Sequence, residues 1–293
     1  MRVAGFTFKC ASAMPRYRYR LVNVFAESPL SGNALCAFED GRGLSDEQMQ
    51  GLALQFNLSE TAFIFPSSVA TSRVRIFTPT FEMPFAGHPT LGSAHVVRAL
   101  RDTGDSVTLE MKAGVIPVTA SGDTWTFQAK APTTRPAHAT LPQMAAMLGI
   151  DESDVDSRVM WVDTGSEQLV VPLRSPDAVA RCRPDPKLLA RDATNARREG
   201  LAYVWARHAG GGVVARFFFL KHGSVVEDPG TGSACANLGG WLVATGNPLP
   251  VVLSIRQGEH TGRQCRLGLR VDAHKGIFVT GKVIEIGVGV VVL

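Results

Sequence analysis

The pattern Pro-x-x-Gly-Ser-Ala occurs twice in this chain of 293 residues, at positions 89–94 and 229–234, with the two prolines 140 residues apart. Each copy follows a strand-like segment rich in aromatic and β-branched residues (74–77 and 214–219), and each opens a run of small and apolar residues (94–100 and 234–244). Self-similarity at such an interval, in a chain about twice the size of a typical domain, predicts two similar halves. Proline suits the first helical position, where its missing N–H is not needed, so the residue before it is expected to be the N-cap. That places His88 and Asp228 at equivalent positions. Gly92-Ser93-Ala94 and Gly232-Ser233-Ala234 allow close backbone approach, and two helix N-termini facing each other would present free N–H groups to an anion.

The remaining composition narrows the function classes. Hydrophobic residues make up 45% and charged residues 19%, which fits a globular chain with a substantial core and not a disordered one. Thirty Lys and Arg against 26 Asp and Glu leave a net charge of +4, scattered singly apart from Arg16, Arg18 and Arg20, so no nucleic-acid partner is expected. The five cysteines, Cys10, Cys36, Cys182, Cys235 and Cys265, are odd in number and lack a C-x-x-C pair. That argues against a disulfide framework and a zinc site, and for a reducing, cytoplasmic location. No run of 18 apolar residues is present, so no membrane partner is expected. Residues 1–16 read as a loose extension, because ordered pattern begins near Arg18.

Along the chain, residues 19–25 and 34–38 read as strands flanking a turn-rich segment. Ser45 followed by Gln48 is a capping box, and Met49, Leu52 and Phe56 fall on one face, so residues 45–56 predict an amphipathic helix that stops at Asn57. Strands follow at 61–65 and 73–78, with Arg73 and Arg75 outward and Val74 and Ile76 inward. Glu60 stands between helix and apolar strand. A solvated strand-end carboxylate would be ordinary there, whereas burial would raise its pKa and fit it for proton transfer near neutrality. His88 and His95, seven apart, lack a third ligand, so no metal is expected.

The strings Gly32-Asn33, Asn57-Leu58-Ser59-Glu60-Thr61, Phe77-Thr78-Pro79, Gly87-His88-Pro89-Thr90-Leu91-Gly92 and Glu227-Asp228-Pro229-Gly230-Thr231-Gly232-Ser233-Ala234 together resemble the signature set of the PhzF-type phenazine biosynthesis family. The resemblance implies a diaminopimelate-epimerase-like α/β (α+β) fold: two pseudo-symmetric domains, each a curved, barrel-like sheet wrapped around a central helix. It implies domains at about residues 17–130 and 131–280, with the C-terminal segment 281–293 returning to the first; residues 283–293, apolar on both faces, read as a buried strand. By resemblance to an isomerase of trans-2,3-dihydro-3-hydroxyanthranilate, Glu60 is the expected proton carrier, acting without a cofactor. His88 and Asp228 are expected catalytic partners, and Ser59, Gly87, Gly232 and Ser233 are expected to position a small carboxylate substrate. The family also implies a homodimer.

Three departures from the family pattern concern the pocket: Asn23 where Asp is usual, Ala34 where Pro is usual, and Gln257-Gly258 leading to Gly262-Arg263-Gln264-Cys265 where Arg-Pro-Ser is frequent. Two other readings compete. An amino-acid racemase or epimerase on the same fold needs two thiols facing across the cleft, and no cysteine pair stands at equivalent repeat positions. A catalytically idle binding protein would keep the scaffold but has no use for Glu60 beside His88 and Asp228. A nucleotide oxidoreductase is weaker still, since Gly230-Thr231-Gly232 lacks the third glycine of the fingerprint.

Overall fold

The computed structural model describes residues 14–293; Cys10 and residues 1–13 of the expected extension lie outside the described residues. In the first half, β1 (Arg16–Val24) leads to β2 (Asn33–Phe38), then α1 (Asp46–Phe56), β3 (Glu60–Phe65), β4 (Ser72–Phe77) and the short β5 (Glu82–Met83). Next come α2 (Gly87–Arg101), β6 (Ser106–Met111), β7 (Gly114–Ser121) and β8 (Thr124–Gln128). The second half repeats this order. It runs β9 (Thr133–Pro136), α3 (Leu141–Leu148), β10 (Met160–Asp163), β11 (Glu167–Pro172), α4 (Pro176–Arg181), α5 (Pro186–Asp192), β12 (Leu201–Arg207), β13 (Val213–Lys221) and β14 (Ser224–Asp228). It closes with α6 (Gly232–Ala244), β15 (Val251–Gln257), β16 (Cys265–Val271) and the long β17 (Ile277–Val292).

The repeat is visible in the pairing. Parallel β2–β3 is joined through α1, and parallel β11–β12 through α4 and α5. Likewise β4 runs parallel to β6 across α2, and β13 parallel to β15 across α6. The first half closes on itself in the ring β1–β2–β3–β4–β6–β7–β8–β17–β1, a barrel-like sheet. The halves share β17: its first part pairs with β16 and with β8, and its second part returns to β1.

The sheet of each half wraps a helix. The first turns of α2 are buried on every side (Gly87 to Ala94), as is α6 from Ala234 to Leu242, which explains why both sequences are small and apolar all round instead of striped. One apolar cluster runs through both halves, with Trp125, Phe127, Tyr203 and Trp241 among its largest members. The remaining helices sit outside: α1 covers Phe38 and Phe63 of the first sheet, and α3 to α5 cover Val171, Val204 and Phe218 of the second. The predicted capping box at Ser45 and Gln48 and the left-handed stop at Asn57 are both present.

Two expectations need correction. The N-cap of α2 is Ala86 and that of α6 is Thr231, so His88 lies inside its helix and Asp228 ends a strand. The helix begins two residues before Pro89 but three after Pro229, so the two motif copies are offset by five residues. Both placements are permitted because no residue of the first turn needs its N–H for an intrahelical bond, and Asp228 is held in the ladder opposite Phe217. By helix position, Gly87 matches Gly232 and His88 matches Ser233.

The second correction concerns the C-terminal strand, which does return to β1, pairing Val283 with Val24 and Val292 with Arg16, but is not buried. Of residues 281–293 only Val283 belongs to the main core; Val288 is 62% exposed, and Val290 and Val292 just over 40%. The strand pair outruns the core beyond the bulge between Leu21 and Val22.

Candidate active site at the seam between the halves

The N-termini of α2 and α6 meet head to head. A Cβ placed on Gly87 would stand 2.9 Å from Gly232 Cα and 3.1 Å from Ser233 N, so only glycine allows this approach. Neither helix has a side-chain cap, and the positive ends of two macrodipoles converge on one point.

Around that point stand side chains from both halves. Asn57, in the left-handed conformation, turns the chain out of α1 through Ser59 into β3, delivering Glu60 opposite Leu35 at the strand's first position. Glu60 Oε2 lies 3.4 Å from His88 Nδ1, with the two side chains 16% and 5% exposed. Burial, with the nearby Asp228 charge adding to it, pushes the Glu60 carboxyl up to about 8. Burial pushes His88 down to about 3, opposed by a backbone hydrogen bond with Ala34. Near neutrality the imidazole is therefore neutral and Glu60 mostly protonated, so their contact is one between neutral groups and not an ion pair. Among the described residues, Glu60 Oε2 and His88 Nε2 are buried without a hydrogen-bond partner, which leaves both open to a ligand.

Asp228 crosses the seam. Its Oδ1 accepts from Ser59 Oγ at 3.2 Å and Asn33 Nδ2 at 3.0 Å, and its Oδ2 accepts from the Thr231 hydroxyl. Burial raises its pKa, and those three hydrogen bonds offset the rise only in part. The same Asn33 nitrogen reaches the Gly230 carbonyl at 3.0 Å and His88 Nδ1 at 3.3 Å. Gln257 braces the turn by donating to the Asp228 carbonyl and Thr231 Oγ1.

All seven residues singled out in the sequence, Ser59, Glu60, Gly87, His88, Asp228, Gly232 and Ser233, thus lie together at the seam. Asn33 and Gln257 join them; Asn33 stood in a quoted string and Gln257 at the head of the third departure, neither with an assigned role. The departures cluster as well: Arg263 donates to the Asn23 side chain and the Gly32 carbonyl, both at 2.8 Å, tying the segment between β1 and β2 to the second half. His95 lies outside the site, accepting from Trp125 Nε1 at 3.4 Å. Cavities of about 260 and 320 Å³ lie elsewhere, on the second half.

Among the described residues no cluster of three or more His, Cys, Asp or Glu could hold a metal ion. The thiols of Cys36, Cys182, Cys235 and Cys265 are all buried, and burial pushes each well above its usual range. They do not form the facing thiolate pair that a two-base racemase needs.

Comparison with known proteins is consistent with this geometry. The family model described as phenazine biosynthesis-like protein matches residues 22–287. The chain is 40% identical over 276 residues to an uncharacterised isomerase of Pasteurella multocida, covering 93% of both chains. It is 34% identical over 262 residues to the trans-2,3-dihydro-3-hydroxyanthranilate isomerase of Pseudomonas aeruginosa, covering 87% of this chain and 91% of that protein. The crystal structure of a PhzF-family phenazine biosynthesis protein of Bacillus anthracis superposes with a TM-score of 0.83 at 23% identity, over 96% of this chain and all of that one, which establishes the shared fold.

Proposed function

The chain belongs to the phenazine biosynthesis-like family and is an isomerase like its relatives; from that premise we propose that it moves a proton between two carbons of a small cyclic or unsaturated carboxylate by acid/base catalysis, without a cofactor. The observation that carries the reading is Glu60: a carboxyl whose pKa is pushed up to about 8, buried against neutral His88, with an oxygen that has no hydrogen-bond partner among the described residues. A group that titrates near the working pH both accepts and returns a proton.

In this reading the ionised form of Glu60 takes a proton from an activated C–H. The C–H electron pair delocalises into the substrate's unsaturated system, and Glu60 then delivers the proton to another carbon. Atoms and charge balance without any other reactant. The paired N-termini at Gly87 and Gly232, with Ser233, hold the carboxylate and offset the charge that develops. Asp228, fixed by Ser59, Asn33 and Thr231, and neutral His88 orient the reacting end.

Residues 17–130 and 131–280 are the proposed domains, with 281–293 returning to the first. The proposed state is a cytoplasmic homodimer. Its support is the exposed row Val288, Val290 and Val292, and the buried free thiols of Cys36, Cys182, Cys235 and Cys265 among the described residues, which suit a reducing compartment.

The test is proton exchange. Candidate carboxylates, beginning with trans-2,3-dihydro-3-hydroxyanthranilate, are incubated with the protein in deuterated water and followed by NMR. Deuterium entering carbon with a shifted double bond supports the reading. Binding without exchange across the panel favours an idle scaffold.

A further inference from the structure

Ser233 is held by a chain of buried amides that the proton-transfer chemistry does not use. Ser233 and Asn237 are four residues apart on one face of α6, directed at the β10–β11 turn. Gln168 on β11 lies between them, 2% exposed, and Asn237 is fully buried. The hydrogen-bond directions along this chain are fixed at one end. The Thr164 backbone N–H, which can only donate, gives its proton to Asn237 Oδ1 at 3.0 Å. Asn237 Nδ2 must then be the donor side, and its bond to the Ser166 carbonyl at 2.8 Å requires the same. That nitrogen also donates to Gln168 Oε1 at 2.9 Å, which leaves Gln168 Nε2 to donate to Ser233 Oγ, again at 2.9 Å. Ser233 therefore accepts from below, and among the described residues its Oγ has no other protein partner.

We infer that Gln168 and Asn237 are positioning residues that lock the Ser233 hydroxyl as a donor toward the seam, so that this end of the site takes a hydrogen-bond acceptor with negative charge, a carboxylate, and discriminates against the matching amide. The Gln168 amide fills one of the hydroxyl's two lone pairs and offers its proton no acceptor, so the lock acts by leaving that proton for a ligand at the seam. With it, the hydroxyl proton and the uncapped N–H groups at Gly232 and Ser233 all present donors to one ligand group. The inference deepens the proposed isomerase reading and rests on it for the substrate class, but its test does not depend on turnover.

The test is a near-isosteric reversal. Gln168→Glu keeps an oxygen to accept from Asn237, but when ionised it offers Ser233 an acceptor and captures the hydroxyl proton. When protonated, the new carboxyl donates to Ser233 as the amide does. The probes are anthranilate and anthranilamide, with affinities measured by calorimetry at about pH 6 and about pH 8.5, on either side of the raised pKa expected for a buried glutamate. Because Glu60, His88 and Asp228 also face the site and carry shifted pKa values, each variant is compared with the wild-type protein at the same pH.

Wild-type protein should favour anthranilate over anthranilamide by about tenfold or more, the usual worth of hydrogen bonds to a charged group. Gln168→Glu should match it at the lower pH and lose most of that preference at the higher. Ser233→Ala, a small change that leaves the amides in place, should lose the preference at both, and adding Gln168→Glu to it should restore no pH dependence. Equal preference in wild-type protein and both single variants, or no pH dependence in Gln168→Glu, overturns the inference. If the preference pattern appears but no deuterium exchanges, the isomerase reading fails and this one is supported.

Discussion

Gly87 and Gly232 touch across the seam so closely that a single methyl group on Gly87 would stand 2.9 Å from the Gly232 Cα. The neighbour is backbone and cannot rotate away. Gly87→Ala should therefore separate the two helix termini and cost about 1–3 kcal/mol of stability, the usual range for overpacking. Activity should fall further than the stability loss accounts for, because the paired N–H groups no longer converge. Equal kcat/KM in Gly87→Ala and wild-type protein, at a temperature where both are folded, would count against the helix-terminus subsite.

Glu60 and His88 should leave opposite marks on the pH dependence of stability. Glu60 has its pKa raised from 4.5 to about 8 in the folded protein, so the fold binds the proton more tightly than the unfolded chain does. That contribution is complete below about pH 4.5 and is lost as pH rises through about 8. Relative to wild-type protein, Glu60→Gln should gain stability progressively over that window. His88 has its pKa lowered from 6.5 to about 3, so its contribution is complete above about pH 6.5 and is lost as pH falls toward 3. Relative to wild-type protein, His88→Gln should flatten that acid limb. Denaturant titrations at several pH values read both slopes, and parallel curves for variant and wild-type protein would contradict the assigned shifts.

Arg263 should matter to a site it does not enter. It is the partner of the Asn23 side-chain oxygen, and Asn23 is 1% exposed, so Arg263→Ala leaves a buried acceptor unsatisfied. The expected cost is about 1–3 kcal/mol. It also frees the Gly32 carbonyl next to Asn33, so kcat/KM should drop while the mutant remains folded. Asn23→Asp should retain the link to Arg263 as a charge-assisted bond but lose the donation from Asn23 Nδ2 to the Pro29 carbonyl at 2.7 Å, so its stability should also fall below that of wild-type protein. Chemical denaturation of the three proteins checks this.

The row Val288, Val290 and Val292 projects beside Arg16, Arg18 and Arg20 in the β1–β17 pairing. If a second copy covers this face, Val290→Lys should convert a dimer to a monomer by light scattering without changing the circular dichroism. An unchanged mass for that variant, or a monomeric wild-type protein, removes the proposal.

The duplicated motif revealed the two-fold build, but its register misled. Proline is tolerated at several places in the first turn, so Pro89 and Pro229 could not show that the helices start at Gly87 and Gly232. The helix over α1 was readable to its ends because its signals are local: a capping box at Ser45 and a left-handed stop at Asn57. Exposure of the end of β17 was not readable, since an apolar run does not say where the core beneath it stops. At the site, Glu60, His88 and Asp228 stood in contiguous strings. By contrast, Gln168, Asn237, Gln257 and Arg263 act through contacts between residues 26 to 240 positions apart in sequence, for which a single chain carries no local sign.

The central claim is that Glu60 carries the proton, and Glu60→Gln measures it most directly. Gln keeps the shape and hydrogen-bonding reach of Glu but cannot accept a proton from carbon. With a substrate that exchanges deuterium in wild-type protein, the variant should bind with nearly unchanged affinity while exchange and turnover fall together by about two to four orders of magnitude. Full exchange by Glu60→Gln on that substrate would contradict the account.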